Sequence, residues 1–217
     1  MSSKRGLPKL PKHGALLLIG GRLPNRTSLL ELASGFRPIV AADGAGLVAV
    51  GRGLIPNVVI GDLDSVGPRR ATLQRHGVQI IERPSQEEND FEKGLHWLIE
   101  QGETVVTVMG ISGGLVDHTL NNFSIVAKFA HRLQLQFVDE RSLGIVVVGN
   151  LEWATTPGQR ISIIPLPSAL LTTTGLRWEL ANEQLAIGQR EGGSNKAIGD
   201  WIRVEVHQGV AAVVVGG

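Results

Sequence analysis

Five aspartates carry the first chemical signal in this sequence: Asp43, Asp62, Asp64, Asp90 and Asp117. Each falls at or just past the end of an apolar, β-prone run, or at the start of the helical stretch that follows. Val58-Val59-Ile60 leads into Gly61-Asp62-Leu63-Asp64-Ser65. The run from Thr104 to Met109 leads into Gly110-Ile111-Ser112-Gly113-Gly114-Leu115-Val116-Asp117-His118. In a parallel α/β sheet, residues beyond the strand ends line the ligand crevice. Carboxylates crowded there repel one another unless a cation neutralises them. Mg²⁺ prefers oxygen ligands and commonly bridges a few carboxylates to substrate phosphates. Gly110, Gly113 and Gly114 precede a helix start, where backbone N–H groups can face a phosphate. Glu87 and Glu88 stand close to Asp90 in the chain. Any one of these acids has an ordinary reading as a turn or helix-cap residue. The same placement repeated at least four times along one sheet edge points to a metal- and phosphate-binding site.

The elements that must position these residues follow from hydrophobic pattern and punctuation. Strands are expected over Ala15–Ile19, Ile39–Ala42, Val58–Ile60, Val78–Ile81, Thr104–Met109 and Leu135–Val138. Helices are expected over 27–34, 45–50, 69–76, 89–100 and 118–133. The helix from Asn89 is the best marked. Asn89 and Glu92 have capping-box spacing, and Phe91, Leu95 and Leu98 share a face. In the helix from His118, the spacing puts Leu120, Phe123, Val126, Ala127 and Ala130 inward. Alternating strands and helices, with nearly all-apolar strands, predict an α/β fold with a doubly wound, mainly parallel sheet. After Asp139 the pattern becomes β-prone segments at hairpin spacing: 145–148, 152–155, 160–164, 175–178, 201–206 and 210–215. The expected organisation is a catalytic domain over 1–140 and an antiparallel, sandwich-like β domain over 141–217.

Composition narrows the classes. With 217 residues, 42% hydrophobic, the chain can bury one large core or two small ones. The net charge is +1 and aromatics make up 4%, so no basic, aromatic-studded face for nucleic acid is expected. There is no cysteine, which excludes disulfides, thiolate metal sites and cysteine nucleophiles and fits a reducing cytoplasm. The basic N-terminus precedes only the short apolar run Ala15–Ile19, closed by Gly20-Gly21-Arg22. That reads as a first strand, not a signal peptide. No run approaches the roughly 18 apolar residues of a membrane span.

Neither Gly-x-x-x-x-Gly-Lys-Ser/Thr nor a Gly-x-Gly-x-x-Gly after the first strand occurs, which argues against P-loop and ordinary dinucleotide-binding proteins. One motif competes. Gly110-Ile111-Ser112-Gly113-Gly114 matches the Gly-x-Ser-x-Gly elbow of serine hydrolases, with Asp139 or Asp200 and then His207 in the required order. The helix expected near Asp117 starts several residues too late for such an elbow.

Taken together, the motifs resemble those of thiamine pyrophosphokinases. Ala42-Asp43-Gly44 is similar to the family's Ala-Asp-Gly-Gly segment. Ile55-Pro56 with Gly61-Asp62-Leu63-Asp64-Ser65 resembles its Pro…Gly-Asp-x-Asp-Ser motif. Glu87-Glu88-Asn89-Asp90-Phe91-Glu92-Lys93 resembles its Asp-x-Thr-Asp helix start. Gly110 to His118, with Asn121, resembles Gly-x-x-Gly-Gly-Arg-x-Asp-His…Asn. Gly175-Leu176-Arg177-Trp178 and Gly193-Ser194-Asn195 are similar to its Gly-Leu-x-Trp and Ser-Asn segments. The departures are Glu87 for Asp, Asn89 for Thr and Leu115 for Arg; the last removes a planar phosphate-binding fork.

The resemblance implies a pyrophosphokinase that transfers the pyrophosphoryl group of ATP to thiamine and releases AMP. It also implies a homodimer with active sites in clefts between subunits. It assigns Asp62, Asp64 and Asp90 to Mg²⁺ and triphosphate, with Asp43 and Glu87 as helpers and Lys93 or Arg22 compensating for Leu115. Gly110, Gly113 and Gly114 would approach ATP. Asp117 and Asn121, one helical turn apart, would orient thiamine, and Trp178 would stack on it across the dimer, with Ser194 and Asn195 as further contacts. Three alternatives remain: transfer to a pterin-like alcohol, a serine hydrolase using Ser112, and a non-catalytic thiamine- or nucleotide-binding homologue.

Overall fold

The computed structural model describes residues 13–139 and 141–216. The basic N-terminal arm lies outside the described residues. The chain divides into two compact units. One holds the described residues up to Ile125 together with 137–139; the other holds Val126–Gln136 and the described residues from Arg141 onward.

The first unit is built on parallel strands β1 (Ala15–Leu18), β2 (Ile39–Ala42), β3 (Val58–Gly61), β4 (Gln79–Glu82) and β5 (Val105–Met109). They lie in the order β5-β1-β2-β3-β4. Every residue of β1, β2 and β3 is buried. That is why they read as unbroken apolar runs: a parallel strand covered on both faces has no polar side to alternate with. β4 stands at the edge, with Gln79 and Glu82 exposed around Ile80 and Ile81. The connecting helices are α1 (Arg26–Ala33), α2 (Ala45–Gly51), α3 (Arg70–Arg75), α4 (Asp90–Glu100) and α5 (Val116–Phe129). The chain runs from β1 to β2 on one side, whereas β5 flanks β1 on the other. The crevice beside β1 and β5 is therefore a topological switch point, where open α/β sheets bind ligands.

α5 departs from expectation. It starts at Val116, and Leu120, expected inward, is 68% exposed. Only its later turns pack, through Ile125, Val126 and Phe129. Its first turns carry Val116 and Leu120 on the surface, beside the exposed Leu115 that precedes them.

The second unit is antiparallel around two long strands, β9 (Arg160–Thr174) and β12 (Trp201–Gly216). β7 (Ser142–Val147) and β8 (Asn150–Ala154) pair with β12, while β10 (Glu183–Ala186) and β11 (Gly192–Lys196) pair with β9. β6 (Gln134–Val138) is shared between the units. The segments expected as two strands over 201–206 and 210–215 are one. Register shifts at His207 and Val210 let β12 change its buried set from Ile202, Val204 and Val206 to Ala211, Val213 and Val215. A bulge moves the inward side chains by one residue without ending the ladder. The segment 175–178, expected as a strand, is a loop with an isolated bridge from Leu176 to Ala197. β10 and β11 have no β-branched residue, and only pairing to β9 makes them strands.

Candidate active site

The strand ends build a cavity of about 670 Å³ wholly within the first unit. Its walls are the loop after β1 (Ile19 to Leu23), the β2–α2 turn with Asp43 and Val48, Ser65, the start of α4, and the β5–α5 segment from Ile111 to Asn122. The volume lies within the usual range for a small-molecule site. Two loops are locked together at its base: Gly21 N–H donates to the Gly110 carbonyl at 3.0 Å, and Arg22 N–H to the Ser112 carbonyl at 2.7 Å.

Three carboxylates meet beside it, and two of them, Asp43 and Asp90, line it. Asp43, Asp62 and Asp90 each place an oxygen within 4.8 Å of the others, the one such group among the described residues. Asp43 follows β2 in a left-handed conformation (φ 43°), which is uncommon for a residue with a side chain. Its N–H donates to the Ile60 carbonyl at 2.8 Å, so the turn is fixed by β3. Asp62 follows β3 and donates its N–H to Asp90 Oδ1 at 3.2 Å. A Cβ at Gly61 would stand 2.9 Å from that same Asp90 oxygen, so only glycine lets the two carboxylates approach. Asp90 opens α4, whose N-terminus is set by Asn89. The Asn89 side chain accepts from Glu92 N–H at 3.0 Å, and the Glu92 carboxylate accepts from Asn89 N–H at 3.3 Å. Asn89→Ala should therefore cost about 1 kcal/mol, lowering the melting temperature by roughly 2–4 °C in a chain of this size. An unchanged thermal melt would show that the box contributes nothing.

Like charges at this spacing repel by about 3 kcal/mol per pair at an effective dielectric of about 20. The protein answers part of this with Lys93. The residue is 1% exposed, and its ammonium donates to Asp90 Oδ1 at 3.0 Å, with Asp62 Oδ2 at 3.9 Å. Asp43 receives no such help. Its Oδ1 is buried and has no hydrogen-bond partner among the described residues. A buried, unpaired carboxylate oxygen is costly. A hard, oxygen-seeking cation is the chemistry that removes that cost, so the donor set fits Mg²⁺.

The other expected site residues are placed as follows. Asp64 is exposed: the Asp62 side chain accepts its N–H at 3.2 Å, and Leu63 between them turns the chain at φ 66°. Glu87 is exposed before α4, and Glu88 pairs with His96 at 2.9 Å. Gly114 lines the cavity. Gly110 and Gly113 pack close on the β1–α1 loop, where an added Cβ would stand 2.3 Å from the Ile19 carbonyl oxygen and 2.6 Å from Arg22 Cβ. Asp117 is exposed and accepts the His118 N–H at 2.9 Å; its neighbours His118 and Asn121 line the cavity. Ser65 also lines it, a position the sequence marked only as part of a motif. Ser112 does not line it, and α5 starts four residues later. His207 is held by Thr172 at 2.8 Å. The hydrolase elbow is not formed.

In the second unit, Trp178 is 57% exposed, with the Arg177 guanidinium 5.0 Å from its ring centre. Asn195 is buried and grips the Trp178 backbone from both sides, accepting its N–H at 3.2 Å and donating to its carbonyl at 2.6 Å. Ser194 accepts from Arg160 at 2.9 Å.

The model of the thiamin pyrophosphokinase catalytic domain matches residues 29–138 of this sequence. The chain belongs to the thiamin pyrophosphokinase family. The family's vitamin B1 binding domain matches residues 150–211, which contain Trp178, Ser194 and Asn195. Among curated relatives, "Thiamine pyrophosphokinase 1" of Oryza sativa subsp. japonica is 26% identical over 163 residues, 69% of this chain. The match spans 62% of that relative's own length. The thiamine pyrophosphokinase of Bacillus subtilis is 24% identical over 73% of this chain and 78% of its own. The crystal structure of thiamine pyrophosphokinase from Bacillus subtilis superposes with a TM-score of 0.77 at 20% identity, covering 93% of this chain and 98% of that one. That likeness establishes the fold: parallel strands first, antiparallel strands after.

Proposed function

We propose that this chain transfers the pyrophosphoryl group of ATP to the hydroxyl of thiamine, yielding thiamine diphosphate and AMP. The observation that carries the reading is the Asp43–Asp62–Asp90 cluster, with its bare buried oxygen, at the switch-point cavity of a chain of this family. Asp43, Asp62 and Asp90 would hold Mg²⁺. Bound there, the ion would offset the charge of the triphosphate. In the reaction the thiamine hydroxyl oxygen bonds to the β-phosphorus and the hydroxyl proton is lost. The bond from that phosphorus to the oxygen bridging to the α-phosphorus breaks, and AMP departs with that oxygen. Such transfer depends on positioning and charge compensation more than on covalent help from the protein.

The chain's own groups divide that work. Asp64 and Glu87, both exposed and two and three residues in the chain from Asp62 and Asp90, are assigned to the outer side of the metal–triphosphate complex. Gly114, two residues before α5, is assigned to the phosphates, since a helix N-terminus favours anions. Leu115 replaces a cation with an apolar wall, so the phosphates rely more on the metal. Asn121 is assigned to hold the acceptor, and Asp117 to attract the thiazolium charge. Trp178 would offer its free face for stacking to thiamine, with Asn195 fixing its backbone and Ser194 beside it.

A homodimer is part of the proposal. It is supported by the exposed Leu115, Val116 and Leu120, and by Trp178, Ile198 and Trp201 on the second unit. A cytoplasmic location is part of it too, supported by the cysteine-free composition. Among the described residues, no helix is long and apolar enough to cross a membrane.

The test is AMP release from ATP with a series of acceptors. Thiamine should support it. Thiamine monophosphate should not, because its hydroxyl is already esterified. Release with a pterin alcohol and none with thiamine would move the acceptor to the other class.

A further inference from the structure

Lys93, expected to help at the phosphates, is enclosed against the carboxylates. Its side chain is 2% exposed, and its ammonium lies against Asp90 and Asp62. Both acids that it faces belong to the carboxylate cluster. Three carboxylates and one ammonium leave a formal charge of −2, which one divalent ion would neutralise. Without the ammonium the cluster would carry −3 and would draw any free divalent ion more strongly. An ion bound between the carboxylate oxygens would also lie within a few ångströms of the ammonium. At such distances like charges in a partly buried site interact strongly.

The fold commits to this arrangement. Asp90 and Lys93 are three residues apart on α4, so they share a face. Gly94 presses that face onto β1, where an added Cβ would stand 2.9 Å from Leu17 Cδ1. Leu95 and Leu98 continue the buried side. The lysine is buried on this packed helix while its head is aimed at the acids.

We propose that Lys93 is a resident counter-cation that keeps the site's affinity for free divalent ions low, so that the ion enters together with the nucleotide's phosphates. It is a positioning residue: it holds Asp62 and Asp90 and touches neither substrate. This role presupposes the divalent ion of the proposed reaction.

The test is Mn²⁺ binding to the purified full chain, followed by electron paramagnetic resonance, without nucleotide and with ATP. Wild-type protein should bind free Mn²⁺ at least tenfold more weakly than it binds Mn²⁺–ATP. Lys93→Gln keeps a donor for Asp90 and removes the charge. It should bind free Mn²⁺ at least tenfold more tightly than wild type. Lys93→Met reads the same effect should the glutamine variant not fold, and the wild-type comparison needs no variant. A merely structural lysine predicts the opposite, since loosened carboxylates bind an ion less well. Free-ion affinity that is unchanged or weaker in the neutral variants overturns the role of Lys93 and leaves the metal site standing. So does wild-type protein that binds free Mn²⁺ as tightly as Mn²⁺–ATP. Wild-type protein that binds Mn²⁺ neither alone nor with ATP overturns the metal site and the lysine's role together.

Discussion

Asp62→Asn should lower the rate of AMP formation by roughly 10²- to 10³-fold, the scale seen when one preorganised electrostatic contact to a reacting group is lost. Asp62 leaves β3 immediately before the Leu63 turn and stands where its oxygens face both Asp43 and Asp90. An amide keeps its shape and its ability to accept the Asp64 N–H. It loses the charge that would hold the ion. The fold should be retained, because Asp62 is only half-buried and its backbone bond to Asp90 does not involve the side chain. Steady-state kinetics beside circular dichroism would check both halves. A variant with near-normal turnover would remove Asp62 from the metal set. Asp64→Asn tests the outer position on the same turn and should reduce turnover less than Asp62→Asn.

Asp43→Asn separates activity from stability. Its Oδ1 is buried without a partner and faces two other carboxylates. Asparagine tolerates the left-handed backbone at this position. Removing one of three like charges should stabilise the ion-free protein by about 1–2 kcal/mol, which raises the melting temperature by roughly 2–8 °C. The same change should cut turnover by roughly 10²-fold or more, and adding Mg²⁺ should no longer raise the melting temperature as it does in wild type. Strain and repulsion retained at a position are a common sign that function is being served there. Were Asp43 merely a turn residue, the variant would keep its activity and gain nothing in the melt.

The parallel half of the fold is legible because buried strands leave a simple trace. Ala15–Leu18, Ile39–Ala42 and Val58–Gly61 have no polar residue; Asp43 and Asp62 directly follow the second and third, and Gly20-Gly21 closes the first after Ile19. The Asn89–Glu92 box fixed the start of α4 to the residue. The antiparallel half is harder to read. β10 and β11 are polar or glycine-rich and exist only through pairing with β9. The bulges that keep β12 continuous look like a strand break in one dimension. At the site, position along the chain found the aspartates but not their geometry. The motif favours Asp64, yet the left-handed turn at Leu63 carries it outward, while Asp43 from a neighbouring strand joins the cluster. The motif places Lys93 near the phosphates without showing its burial. Only the packing of α4 on β1 shows that Lys93 is enclosed, with Asp62 from a distant loop as its second partner.

The role proposed for Asp43, Asp62 and Asp90 is to hold a metal that supports pyrophosphoryl transfer to thiamine. Its most direct test is product stoichiometry with purified protein, ATP, thiamine and Mg²⁺, resolved by chromatography. Thiamine diphosphate and AMP should form one for one, and EDTA should stop both. Formation of thiamine monophosphate with ADP, or of thiamine diphosphate undiminished by EDTA, would contradict it.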